Sequence, residues 1–149
     1  MYNIDRDYKN MGRTMVTKEE VEKAFLRLSS LRVARIGDAS QGLFLQPIDL
    51  GSKVHLSTLV YRGDKYIPPS VREASHFHLE TPYSQIHAWL NLDEELFEIS
   101  LHHVGNFSNI SIDELREITS EFEDAAYKWR EIFEEKDRQD LVHIPIQSK

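Results

Sequence analysis

The longest amphipathic pattern in the chain runs from Ser111 to Lys136. Ser111 and Glu114 have the spacing of a capping box, in which two side chains close the first turn of a helix. Apolar residues then recur every three or four positions on one face: Leu115, Ile118, Phe122, Ala125, Trp129, Ile132 and Phe133. Because such a face must be buried, the pattern predicts a long helix that lies across a sheet.

A second capping box, Thr17 with Glu20, predicts a shorter helix from about 18 to 31. Two segments with period-two alternation follow, Gly42–Ile48 and Lys53–Arg62, and a turn over 49–52 joins them into a hairpin. Pro68 and Pro69 then interrupt the pattern, so we expect a connection over 66–74 with room for one helical turn.

Three more strands are predicted, over 75–81, over 85–92 and from Phe97 onwards. If Asp93 and Glu94 form the last turn, antiparallel pairing places apolar residues together on one face: Leu90 with Phe97, Ala88 with Ile99, and Ile86 with Leu101. The same register directs Trp89 and His87 to the opposite, mostly polar face. This division is typical of a half-buried sheet.

The predicted fold is therefore α+β, with an antiparallel sheet of about five strands flanked by an N-terminal helix and a long C-terminal helix packed on one face. We favour a meander for the last three strands, while the first two can add to either edge. We expect residues 1–15 to be flexible, 16–137 to form a single domain and 138–149 to form a C-terminal tail. In that tail, Leu141–Ile146 is apolar enough to add an edge strand or to dock on a partner.

Composition narrows the possible functions. The net charge of −7 argues against general binding to nucleic acid, which needs a clustered basic surface. The chain has no cysteine, which excludes disulfides and thiolate metal sites and fits the cytoplasm. No apolar run approaches the roughly 20 residues of a membrane span, so we expect no membrane insertion. Protein or small-molecule partners are favoured.

Histidines on the outward face of the predicted sheet raise the possibility of a metal site. The proposed register puts His78 opposite His87, with His76 and Glu80 on the same face and His102 nearby. Neutral imidazoles and one carboxylate would suit zinc or another divalent ion. The alternative is that these histidines are polar residues on the wet side of a sheet, and that no cofactor is bound. His103 falls on the same side of its strand as the predicted core residues, so we expect a hydrogen-bonded histidine near the core.

Catalytic motifs are not apparent. The acidic pairs, such as Glu94 with Glu95, fall on predicted turns or helix ends, and the six glycines form no phosphate-binding loop. Trp89 stands out instead, because a large aromatic side chain on the polar face of a sheet is typical of a contact with a ligand or protein.

The C-terminal segment ISLHHVGNFSNISIDELREITSEFEDAAYKWREIF resembles the class I type III secretion chaperones and the related YbjN-like domains. The resemblance rests on a strand, a loop and a long helix in which small Ala125 precedes Trp129 by one turn. Those chaperones have a substantial second helix that packs their dimer, whereas Pro68–Ala74 leaves room for little more than a turn.

The resemblance implies a small, dimeric cytoplasmic protein that binds an extended segment of a partner protein, such as a secreted effector. The candidate contact residues are apolar residues of the first helix, the sheet and the tail: Phe25, Leu43, Leu45, Leu56, Trp89, Leu141 and Ile144. Two alternatives stay open. One is a metal-binding protein or metal-dependent enzyme that uses His76, His78, Glu80 and His87, and the other is a small-molecule-binding domain with an apolar cavity.

Overall fold

The computed structural model describes residues 16–37, 41–77 and 85–147, with side chains up to Asp140. The elements in chain order are α1 (Lys18–Ser29), β1 (Ala34–Ile36), β2 (Leu43–Ile48), a 3₁₀ turn (Asp49–Gly51), β3 (Lys53–Arg62), α2 (Pro69–Ala74), β4 (Trp89–Asp93), β5 (Glu98–Asn106) and α3 (Ile112–Gln147). The predicted α+β class, with an N-terminal helix, a five-stranded antiparallel sheet and a long C-terminal helix, is confirmed.

Both long helices begin where the capping boxes predict. The Ser111 hydroxyl accepts from the Glu114 N–H at 3.1 Å, and the Ser111 N–H donates to the Glu114 carboxylate at 3.2 Å. Thr17 accepts from the Glu20 N–H in the same way at 3.2 Å. These contacts satisfy amide groups that the first turn of a helix leaves without intrahelical partners.

The five strands are ordered β1-β2-β3-β5-β4, and every neighbouring pair is antiparallel. The set of strands differs from the predicted one. Residues 75–77 follow α2 as a turn, so the strand predicted over 75–81 does not begin there, and its remainder lies outside the described residues. The fifth strand is Ala34–Ile36, whose three residues are too few to give a period-two pattern of their own.

The β4–β5 hairpin corrects the predicted register. Leu90 pairs with Leu101, not with Phe97, which is a shift of four residues. The connection has four residues, 94–97, because the Asp93 carboxylate accepts from the N–H groups of Glu95 and Leu96, both at 3.0 Å. Because the register shift is an even number of residues, each strand still presents the predicted residues to each face of the sheet.

The core lies between one face of the sheet and the helices α1 and α3. Fully buried side chains come from both helices and from four strands: Val21, Leu28, Ile36, Leu43, Leu45, Val54, Leu56, Ile99, Leu101, Leu115, Phe122 and Phe133. Tyr61, beyond a bulge in β3, meets the Phe133 ring edge-on, with ring centroids 5.9 Å apart. The Tyr61 hydroxyl also donates to Asp137 of α3 at 3.2 Å.

The end of the chain corrects a further prediction. The backbone of α3 stays helical to Gln147, so 141–146 does not form the edge strand that its apolar residues suggested. Within the described residues, no helix is both long and apolar enough to cross a membrane.

Candidate protein-binding surface

The side of the sheet opposite α1 and α3 is the outer sheet face. Its outward positions are Phe44 and Gln46 on β2, His55 and Ser57 on β3, Trp89 and Asn91 on β4, and Ser100, His102 and Val104 on β5. Trp89 is 47% exposed and Val104 is 37% exposed, although their strand neighbours Leu90 and His103 turn inward. Large exposed apolar side chains grouped on one face are typical of an interaction surface.

Three flat rings form a cluster on this face, which we call the Trp–His cluster. Trp89 lies directly opposite His102 across β4 and β5, with ring centroids 5.5 Å apart and planes tilted by 18°. His55 of β3 lies 5.1 Å from His102 and 6.1 Å from Trp89, again with nearly parallel planes. The cluster therefore spans three adjacent strands and is held in place by their pairing.

Hydrogen bonds orient the two imidazoles. His55 Nε2 lies 3.0 Å from His102 Nδ1, and His102 Nε2 lies 2.7 Å from the hydroxyl of Ser100. Burial lowers the pKa of His102 below its usual value, and the neighbouring His55 lowers it further. Both effects favour the neutral form of the His102 imidazole, which contributes a flat, uncharged ring to the cluster.

Charges are unevenly distributed around the outer sheet face. Arg35 of β1 lies over the Phe44 ring, 5.8 Å from its centroid, and Lys53 occupies an exposed outward position of β3. The carboxylate of Glu98 lies at the far corner, where it forms an ion pair with Arg62 at 2.9 Å. In a chain with net charge −7, this face is thus basic on its β1–β3 side.

The sheet also offers an edge next to Trp89. Strand β4 pairs with β5 on one side, and no other described strand pairs with its second side. An edge strand presents backbone N–H and C=O groups that an extended peptide can pair with. The Trp–His cluster lies beside that edge, so side-chain and backbone contacts are available together.

His103 lies on the opposite side of β5, facing the core, where only 4% of it is exposed. Its Nδ1 accepts a hydrogen bond from the His87 N–H at 3.1 Å. Burial lowers its pKa. The prediction of a hydrogen-bonded histidine near the core is confirmed.

The candidate contact residues divide into four groups. Leu43, Leu45 and Leu56 lie on the core face of the β2–β3 hairpin, where they are buried and not exposed to a partner. Phe25 is half-buried against Phe107, with ring centroids 5.4 Å apart. Trp89 lies on the outer sheet face as predicted. The side chains of Leu141 and Ile144 lie outside the described ones, and their backbone is helical.

Two of the four predicted zinc ligands lie among the described residues, so the predicted set stays a prediction. His76 is in the turn after α2, and His87 precedes β4, while His78 and Glu80 lie outside the described residues. No three histidine, aspartate or glutamate side chains of the described chain are grouped to hold a metal ion. His55 was not among the predicted ligands, because His55 meets His102 only through the β3–β5 pairing, which no local sequence pattern reveals.

A cavity of about 300 Å³ lies between β3 and the second half of α3. Its lining combines charged and polar groups with apolar surface: Gln41, Leu59, Val60, Tyr61, Arg62, Arg130, Glu134 and Asp137. The hypothesis of a small-molecule-binding domain with a well-formed apolar cavity stays a prediction.

Comparison with known proteins shows similarity at the level of fold. No protein-family model matches the sequence, and no curated protein matches it significantly. A chain of the HopA1–SchA chaperone–effector complex aligns with 78% of this chain and 99% of its own length, at 18% identity and a TM-score of 0.50. A chain of the heterodimeric ExoU–SpcU complex, from the type III secretion system of Pseudomonas aeruginosa, aligns over 73% and 94%, at 13% identity and a TM-score of 0.49.

Proposed function

We propose that this chain is a non-enzymatic binding protein, which holds an extended segment of a protein partner as a secretion chaperone or adaptor does. The outer sheet face carries the proposal. It combines an exposed tryptophan, Trp89, with a sheet edge that lacks a described partner. Tryptophan is among the residues that most often dominate the energy of protein interfaces.

The fold supports this class of function, since it is similar to that of a chain from a chaperone–effector complex. The resemblance of 99–133 to class I secretion chaperones points the same way. We extend the proposal to a secreted effector as the partner, to the cytoplasm as the place of action and to a homodimer as the active form. This role requires no metal or cofactor.

In the proposed binding mode, the partner's segment adds as a strand to the side of β4 with which no described strand pairs. Its side chains on one face then contact Trp89 and reach towards His102. Arg35 and Lys53 lie towards the opposite edge of the sheet, so they favour acidic residues in the part of the segment that continues from the added strand across the outer sheet face.

The test is native mass spectrometry of untagged protein isolated from its own cells. We expect a dimer that carries a protein fragment, and we expect Trp89→Ser to lose the fragment while it keeps the fold. Leu96→Ser is a matched control, because Leu96 is also an exposed apolar residue but lies in the β4–β5 turn. A wild-type monomer without a bound polypeptide, or a Trp89→Ser variant that retains the same fragment, contradicts the proposal.

The same spectra address the alternative metal site. One metal ion per chain, lost on substitution of His76 and His87 and found without a protein partner, would favour the metal-binding hypothesis over the chaperone.

A further inference from the structure

His55 and His102 are the closest pair of metal-ligating groups on the outer sheet face. They are diagonal neighbours on β3 and β5, since Ser57 pairs with His102 and His55 pairs with Val104. His55 Nε2 and His102 Nδ1 are 3.0 Å apart and share one hydrogen bond. Two imidazole nitrogens that converge in this way can also share a cation.

We propose that His55 and His102 form a two-nitrogen chelating site for a divalent cation that accepts ligands at right angles, Cu²⁺ first and Ni²⁺ second. With metal–nitrogen bonds of about 2.05 Å, the observed 3.0 Å separation corresponds to an angle of about 94° at the metal. A tetrahedral zinc site would require the nitrogens to be about 3.3 Å apart. The separation therefore matches two adjacent positions of a square-planar ion.

The binding step replaces the hydrogen bond between the two rings by a metal ion. In that hydrogen bond, His55 Nε2 donates its proton and His102 Nδ1 offers its lone pair, which fits a proton on His102 Nε2 facing Ser100. When the cation binds, His55 loses the proton on Nε2 to solvent and takes one up from solvent on Nδ1, so that it stays a neutral imidazole, and both rings rotate to direct their lone pairs at the metal. Water fills the remaining coordination positions.

The surroundings of His102 and His55 prepare the pair for this role. Ser100 Oγ lies 2.7 Å from His102 Nε2 and can accept its proton, which leaves Nδ1 as the free lone pair. Trp89 covers one side of both rings, at centroid distances of 5.5 and 6.1 Å. Because both imidazoles lie this close to the Trp89 indole, a paramagnetic ion bound between them should quench Trp89 emission, which gives binding an optical signal.

This site is separate from the histidine set that sequence spacing suggested, because it uses neither His76 nor His87. It also does not depend on partner binding. The isolated wild-type chain is therefore the appropriate sample, and a failure here leaves the proposed chaperone role unaffected.

The experiment is a titration with Cu²⁺ alone, followed by tryptophan emission and by electron paramagnetic resonance. We expect one ion per chain, quenched emission and a spectrum with two nitrogen ligands. His55→Gln and His102→Gln should each lower the affinity tenfold or more, an effect on the order of that seen even for outer-shell changes at metal sites. The double variant His76→Gln/His87→Gln serves as the control and should bind as tightly as the wild type.

Trp89→Phe separates the optical signal from binding: the quenching should be lost and the two-nitrogen spectrum retained. The proposal is overturned if the wild-type spectrum shows a single nitrogen ligand, a result that needs no variant to fold. It is equally overturned if the His76→Gln/His87→Gln control loses as much affinity as His55→Gln and His102→Gln, because binding would then be spread over exposed histidines.

Discussion

The two faces of the sheet are made by the same strands, yet they differ in burial, polarity and contacts. On the core face, Leu56 and Leu101 are fully buried under α1 and α3, and polar His103 has its own hydrogen-bond partner. On the outer sheet face, the neighbouring residues His55 and His102 meet Trp89 in a partly exposed cluster. Side chains at alternate positions of one strand therefore have different roles. Those on the core face determine the fold, and those on the outer sheet face are available for binding.

The largest expected difference between the faces is in stability. Phe122→Ala should lower the free energy of unfolding by about 3–5 kcal/mol, because it leaves a cavity at a fully buried position. Trp89→Ala should lower it by less than about 1 kcal/mol, although it removes a larger side chain. Urea unfolding of both variants measures the contrast. Equal losses would mean that the outer sheet face is part of a packed core.

A smaller effect should come from the contact that fixes α3 to the sheet. The Arg130 guanidinium donates to the Leu59 carbonyl at 2.9 Å and to the Thr58 hydroxyl at 2.9 Å. Arg130→Met keeps the apolar stem but leaves these acceptors without their donor, so we expect a loss of about 2 kcal/mol in urea unfolding.

Arg138→Met is the control, since Arg138 is on the same helix and forms only an exposed ion pair with Glu135. It should cost less than about 0.5 kcal/mol. Similar losses in both variants would show that the contacts of Arg130 with β3 add nothing beyond an ordinary surface charge.

A third difference concerns pH. In the folded chain burial lowers the pKa of His103, whereas in the unfolded chain the side chain takes up a proton near pH 6.5. The unfolded state therefore binds more protons as the pH falls below about 7, and stability should decline from pH 7 to pH 5. His103→Gln offers an oxygen to the His87 N–H without titrating, so its unfolding midpoint should depend less on pH over this range.

His76→Gln provides the comparison, because its side chain is exposed in the turn after α2 and is not among the groups that shift the pKa of His103. It should keep the wild-type slope. If His103→Gln shows that same slope, acid sensitivity does not originate on the core face.

The smallest effect should be a gain in stability, away from both faces. Leu50 is 97% exposed and has φ of +57° in the β2–β3 turn, a conformation that leucine adopts at a cost. Leu50→Asn should therefore raise stability by about 0.5–1 kcal/mol, seen as a higher melting temperature.

The neighbouring Gly51→Ala should act in the opposite direction. Gly51 has φ of +90°, and an added Cβ would lie 2.7 Å from Leu31 Cδ2. A melting temperature that falls with Leu50→Asn would indicate that the Leu50 side chain has a stabilising contact.

Prediction from the sequence succeeded where a pattern is local. The capping boxes at Thr17 and Ser111 locate both long helices, because their hydrogen bonds join residues only three apart. The alternation in β5, and in β3 up to its bulge, assigns each residue to a face for the same reason. Ala34–Ile36 escaped notice because three residues show no period, and its place in the sheet depends on distant β2.

The candidate site was only half predictable. Trp89 was identifiable as an aromatic residue on the polar face, because the alternation of residues along its strand is enough to assign it to that face. The pairing of His55 with His102 depends on the β3–β5 register, which joins residues 47 positions apart. The sequence pattern does not distinguish the buried leucines of β2 and β3 from contact residues. An apolar strand face has the same pattern whether helices of the same chain or a partner protein cover it.

The four-residue connection between β4 and β5 has a consequence for how this protein can change over evolution. An inserted or deleted residue within 94–97 changes only the length of the loop when β4 and β5 keep their pairing, and every side chain then stays on its own face. A one-residue insertion within β4 has a different effect, because it would turn Trp89 inward and Leu90 outward. Among related chains, we therefore expect this loop to vary freely in length, whereas a one-residue insertion in either strand should be accommodated as a bulge.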